Sequence, residues 1–271
     1  MSNHWCIIET GPREPAWNMA LDEALLEAVN RGEIPPVLRF YDWTIPTVSI
    51  GFHQKLDHEV DFNRIQERGY AAVRRPTGGR AVLHKNEVTY AVIAPVTGLL
   101  AGNVTDTYAR ISLALVEGLQ LLGVPAELEE GHPAESKEPG NPCFTSVSRF
   151  ELTVRGKKIV GSAQLRRGTT LLQHGSIQLH ADQAEMADLL PDLDDRQRER
   201  FARYLRLHST SIDAECGRVV SYDEAVSALH NGFSNTWETN EFQQGIGEEL
   251  EALPGFSSLL SKYVNSEWNR H

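Results

Sequence analysis

Apolar residues recur at helical spacing over two long stretches and at strand spacing over many short ones. Pro15 opens the first helix. Ala16, Ala20, Leu21, Ala24, Leu25, Ala28 and Val29 give it an apolar face, and Gly32 with Pro35-Pro36 ends it. The second spans 106–122, with Tyr108, Ile111, Leu113, Ala114, Leu115, Leu119 and Leu122 in a broad stripe before Gly123. A short helix over 62–67 stops at Gly69. Strands are expected at 5–9, 37–41, 47–51, 70–74, 80–84 and 87–94, with one more at 126–130. Residues 131–142 carry three prolines and two glycines and read as a mobile surface loop. Phe150, Leu152 and Val154 then alternate, and turns at Gly156 and Gly168 separate strands at 158–165 and 171–179, an antiparallel meander. Beyond 182 the chain turns helical and highly charged, over 184–190, 194–205, 222–238 and 241–253. This order predicts an α+β fold of mixed, largely antiparallel sheets packed against helices, not a doubly wound sheet.

Length and composition narrow the class. The chain has 271 residues, 41% hydrophobic and 23% charged, enough for a substantial core. It reads as a single catalytic domain over 1–271, with the charged helical segment from about 183. No apolar run is long enough to span a bilayer, and the N-terminus lacks a secretory pattern, so the expected compartment is the cytoplasm. A formal net charge of −11 disfavours nucleic acid and anionic membrane as partners. The charge is uneven: Arg149, Arg155, Lys157, Lys158, Arg166 and Arg167 oppose Glu151 alone. That patch could dock an acidic partner, or be a solvated sheet edge. Three widely spaced cysteines, Cys6, Cys143 and Cys216, form neither a disulfide framework nor a zinc motif, and no metal site is expected.

Two stretches carry candidate chemistry. Arg74-Arg75-Pro76-Thr77-Gly78-Gly79-Arg80 leads into Ala81-Val82-Leu83-His84. Adjacent glycines let backbone approach a ligand, and flanking arginines can hold a carboxylate or phosphate. No Gly-Lys-Ser/Thr ending makes it a Walker loop. The same stretch also reads as a hairpin turn with solvated arginines. Cys143, in Asn141-Pro142-Cys143-Phe144 at the end of the long loop, is a candidate nucleophile. A free thiol ionises near pH 8.5 and needs a cation close by; Lys158 on the adjacent hairpin is the candidate. Taken in isolation, Cys143 also reads as an inert buried thiol, and Lys158 as a solvated strand residue. Gly161, Ser162 and Ala163 leave room for an acyl chain against the backbone. Cys6 reads as core and Cys216 as incidental. His84 and His174 could move a proton or be satisfied structural histidines.

Taken together, these segments resemble the lipoate ligase/octanoyltransferase family, whose α+β fold is shared with biotin protein ligases; the likeness is strongest to its LipM-type octanoyltransferases. It rests on Trp17-Asn18-Met19-Ala20-Leu21-Asp22-Glu23-Ala24-Leu25-Leu26, Pro35-Pro36-Val37-Leu38-Arg39-Phe40-Tyr41, residues 74–84, Cys143-Phe144, residues 156–164 and Leu172-Gln173-His174-Gly175-Ser176-Ile177. The resemblance implies two-step acyl transfer. Cys143 attacks an octanoyl thioester on acyl carrier protein, and a lysine of a lipoyl-domain protein, glycine cleavage H protein in the implied case, attacks the resulting octanoyl-enzyme. It gives Lys158 the task of lowering the thiol's pKa, and places Arg75, Gly78, Gly79, His84, Gly161, Ser162 and Ala163 around the acyl group. Neither step requires ATP or a metal, so no cofactor is expected. An ATP-dependent ligase, an amidotransferase between lipoyl domains and a non-catalytic acyl binder are the rival readings. Lys85 stands where related sequences often carry aspartate, which leaves open what orients His84.

Overall fold

The first strand, β1 (Trp5–Arg13), sends Trp5 and Ile7 to one face and Cys6 and Ile8 to the other. Burial on both faces recurs in the middle of the main sheet, where 88–94 reads as a nearly continuous apolar run. The structure, a computed structural model, describes residues 4–129, 151–180, 182–237, 242–244 and 250–270. Helix α1 (Pro15–Asn30) follows, with proline in its first turn. It returns the chain to β2 (Val37–Trp43), parallel to β1. A smaller excursion holds β3 (Thr47–Ile50), α2 (Leu56–Glu59), α3 (Phe62–Glu67), β4 (Ala71–Arg74) and β5 (Val82–His84). Its strands form a separate three-stranded sheet in the order β4-β3-β5.

Strand β6 (Glu87–Pro95) rejoins the main sheet, and α4 (Val104–Leu121) crosses one face, started by a capping box between Asn103 and Asp106. Strands β7 (Glu127–Glu129), β8 (Glu151–Val154), β9 (Lys157–Arg167) and β10 (Thr170–Gln178) supply the meander. Helices α5 (Met186–Leu189), α6 (Asp195–His208), α7 (Ile212–Cys216) and α8 (Tyr222–Trp237) follow, then β11 (Phe242–Gln244), α9 (Phe256–Val264) and α10 (Ser266–Arg270). The main sheet runs β11-β1-β2-β6-β10-β9-β8-β7, parallel at β11-β1-β2 and antiparallel elsewhere. The α+β expectation therefore holds.

Two cores lie on opposite faces of this sheet. Leu38, Tyr90, Ile111, Leu115, Leu229 and Phe233 pack under α4 and α8. Leu21, Leu25, Tyr41, Ile93, Leu172 and Tyr263 pack under α1 and α9. A third cluster joins the small sheet to α5 and α6 through Val48, Leu83, Met186 and Leu205. One expectation is corrected. Within 241–253, Phe242–Gln244 is a strand parallel to β1, and Leu250–Ala252 is a 3₁₀ turn. Among the described residues no helix is long and apolar enough to cross a membrane. The loop expected at 131–142 lies outside the described residues.

Candidate active site

Strand register determines which side chains meet on the α1 face of the sheet. Tyr41, Thr89, Ser176 and Gly161 form one row, and Arg39, Ala91, His174 and Ala163 the next. Between them and the small sheet opens a pocket with about 380 Å³ of empty space, its open mouth included. Met19, Tyr41, Trp43, Val82 and Ala163 give it apolar surface; Arg75, His84, Gly161 and Ser162 also line it.

Each of two histidines in the wall joins a buried carboxylate to a hydroxyl. His174 Nδ1 donates to Asp22 Oδ2 at 2.9 Å, and its Nε2 meets Thr77 Oγ1 at 2.6 Å. Asp22 also takes Arg39 Nη1 at 2.5 Å and the Tyr41 hydroxyl at 2.9 Å. Burial pushes the Asp22 carboxyl up, but Arg39 and His174 outweigh it and hold it below the usual range. Burial lowers His174 despite Asp22, so the ring sits neutral at pH 7, with Nδ1 carrying the proton and Nε2 accepting from Thr77. On the other side, His84 Nδ1 donates to Glu87 Oε1 at 2.8 Å, and Nε2 lies 2.7 Å from Ser49 Oγ. Thr89 and Ser176 both donate to Glu87, and the Trp43 ring stacks on His84 with centroids 4.3 Å apart. Glu87 thus answers what orients His84. Lys85 points away, to Glu185 at 2.7 Å.

The arginine pair does not do what its sequence setting suggested. Arg74 Nη1 donates to the carbonyls of Gly51, Phe52 and Gln54, and its Nε to that of Trp268. Arg75 braces the glycine loop through the carbonyls of Ser49, Gly78 and Arg80. These guanidinium groups shape the wall rather than present themselves to an anion. Gly79 holds φ +93°, and a Cβ there would come within 2.8 Å of Arg75 Nη2. Gly78 and Gly79 adjoin the Arg75 guanidinium and are not among the residues that line the pocket.

Lys158 reaches the pocket side of the sheet through a β-bulge. Leu152 pairs with Val160 but Thr153 pairs with Lys158, so Ile159 is an extra residue. Ile159 turns into the α4-side core, and Lys158 shares the opposite face with Thr153. Its Nζ donates to Glu151 Oε1 at 2.8 Å, both groups being buried. The lysine is thus not solvated, and it does not line the pocket. Ser162 borders the pocket, but its hydroxyl bonds Tyr90 at 2.7 Å on the other face, so Gly161 and Ala163 are the small residues that face inward. Cys143 lies outside the described residues. The other two thiols are both raised by burial: Cys6 is core, and Cys216 donates to the Leu122 carbonyl. Within the cationic stretch Arg155 pairs with Glu215, Lys158 with Glu151, and Arg167 with Glu23 and Glu27, while Arg149 lies outside the described residues.

Sequence reasoning missed Asp22, Arg39, Ser49 and Glu87. One signal was available: Asn18 and Asp22, four residues apart, are polar on the buried side of α1. A carboxylate there calls for a buried cation.

Residues 14–234 match the lipoyl protein ligase A/B catalytic domain. The chain belongs to that family. Within it, the chain is 42% identical to Octanoyltransferase LipM of Kyrpidia tusciae, covering 98% of each sequence. It is 40% identical to Octanoyltransferase LipM of Symbiobacterium thermophilum, covering 99% of each. Among solved structures, it resembles the bi-partite lipoate protein ligase reported with its E2 lipoyl domain from Thermoplasma acidophilum. The TM-score is 0.78 at 26% identity, over 98% of this chain and 96% of that one. A lipoate-protein ligase A bound with ATP gives 0.78 at 27%, over 100% and 99%.

Proposed function

We propose that this member of the lipoyl protein ligase A/B family is an octanoyltransferase of lipoate biosynthesis, working as one catalytic unit over residues 1–271. The observation that carries the reading is the near full-length similarity, about 40%, to proteins named octanoyltransferase. The pocket agrees with an uncharged acyl group. Its apolar surface lies against Gly161 and Ala163, while Arg74 and Arg75 direct donors to backbone carbonyls.

In this reading the donor is octanoyl-acyl carrier protein and the acceptor a lipoyl-domain protein such as glycine cleavage H protein. The Cys143 thiolate attacks the donor's thioester carbonyl. A new C–S bond forms and the carrier's thiolate leaves. A neutral acceptor lysine then attacks, an amide forms, the Cys143 thiolate departs, and the amine nitrogen gives up a proton. Lys158 stabilises the thiolate, with Glu151 fixing its ammonium in place. The cost of a carboxylate there is a weaker field on the sulfur. Cys6 and Cys216, both raised by burial, are poor substitutes.

Intact-protein mass spectrometry after mixing with octanoyl-carrier protein tests this. The expected result is one octanoyl thioester adduct on the wild-type protein and no thioester adduct on Cys143→Ser. An unmodified wild-type protein rejects the reading. The likeness to an ATP-bound ligase favours a second one, adenylate-forming lipoate ligation. Modification of a lipoyl domain that depends on ATP and survives Cys143→Ala would select it.

A further inference from the structure

The Asp22–His174–Thr77 array holds the glycine loop, since Thr77 sits within it. The Glu87–His84–Ser49 array has no such evident duty. Ser49 and His84 line the pocket, and the chain of contacts is directional. Arg75 Nη1 donates to Ser49 Oγ at 3.0 Å, which leaves the hydroxyl proton free to point at His84 Nε2, 2.7 Å away. With His84 Nδ1 committed to Glu87 at 2.8 Å, its Nε2 is the ring nitrogen that faces the Ser49 hydroxyl. This is a hydroxyl with a base behind it and a carboxylate behind the base, inside an acyl pocket.

Building on the proposed transfer reaction, we propose that Ser49 and His84 relay the proton released in its second half-reaction, with Glu87 as the positioning residue. The two half-reactions differ in their proton balance. Thiolate–thioester exchange forms one C–S bond and breaks another with no proton transfer. Aminolysis forms a C–N bond to a neutral amine, and the nitrogen must lose a proton before or as the C–S bond breaks. That proton passes to Ser49 Oγ as the Ser49 proton passes to His84 Nε2. The resulting imidazolium, held by Glu87, then discharges to solvent.

The test follows single turnovers of Ser49→Ala and Glu87→Gln. Ser49→Ala should load octanoyl from the carrier within about threefold of the wild-type rate. Its transfer to lipoyl-domain lysine should fall roughly 100-fold, within the range for a lost general base. Hydroxylamine, whose adduct gives up its proton more readily, should still cleave the loaded variant within about threefold. Ser49→Thr, which keeps the hydroxyl, should restore lysine transfer. Glu87→Gln should show the same selective loss, smaller in size. Unchanged lysine transfer in Ser49→Ala overturns the relay. So does an equal fall in loading, hydroxylaminolysis and lysine transfer, which marks a merely structural serine. A wild-type protein that never loads octanoyl overturns the transfer reading, and the relay with it.

Discussion

At the scale of single residues, the buried carboxylates decide how the site behaves with acid. Asp22 is held below its ordinary pKa: burial works against this, and Arg39 and His174 prevail. His174 is lowered chiefly by burial. In both cases the unfolded chain binds protons that the folded one refuses, so stability rises with pH across each window. For His174 the window opens near the unfolded value of about 6.5 and extends down to the depressed folded value. The Asp22 window starts near 3.9 and lies lower still. Unfolding free energy from urea titrations should therefore fall between pH 7.5 and 5.5. His174→Gln should lose about 1–3 kcal/mol at pH 7.5, from disturbed bonds to Asp22 and Thr77, and show a shallower pH slope. Parallel slopes for variant and wild type would remove His174 from this account.

At the scale of elements, the sequence exposed what local pattern controls. The proline-opened α1, the stripe of α4 and the turns bounding β9 and β10 are all legible, because periodicity and glycine act within a few residues. Arg75, His84, Gly161, Ser162 and Ala163 line the pocket; small side chains pointed to 161–163, and likeness to a family pointed to all five. What stayed hidden depends on pairing across the chain. Three-residue β11 has no period of its own and exists through β1. The bulge at Ile159 depends on the register with β8. Glycine at 175 belongs to the same class. A Cβ there would meet Ser162 Oγ at 2.6 Å, and the Gly161 carbonyl and Tyr90 Cε1 at 2.7 Å. The carbonyl is backbone, so β9 itself must move. Gly175→Ala should cost about 1–3 kcal/mol in chemical denaturation. It should also slow octanoyl loading, because the strand that shifts carries both Gly161 and Lys158. Wild-type stability and loading together would show that the two strands separate without strain.

At the scale of the whole molecule, the last elements of the chain hold the first ones. Lys262 Nζ and the Tyr263 hydroxyl both donate to Glu23 Oε2 on α1, at 2.7 and 2.6 Å, and Trp17 donates to Glu251 at 2.9 Å. Arg74 ties α10 to the other end of the site. Its backbone N–H donates to Asn269, and its guanidinium spans from the Trp268 carbonyl to those of Gly51, Phe52 and Gln54. Arg75, the next residue, braces the glycine loop. One dipeptide therefore couples the C-terminal helices to the pocket wall. Arg74→Ala strands several part-buried carbonyls at once and should destabilise the protein by about 3 kcal/mol or more, since each buried orphan costs about 1–3 kcal/mol. Arg74→Lys keeps the charge but not the fork, and cannot reach both the 51–54 turn and α10. It should recover less than half of that loss, read as the shift in urea midpoint at constant slope. Full recovery by lysine would mean that charge, not the span between the two segments, is what Arg74 contributes.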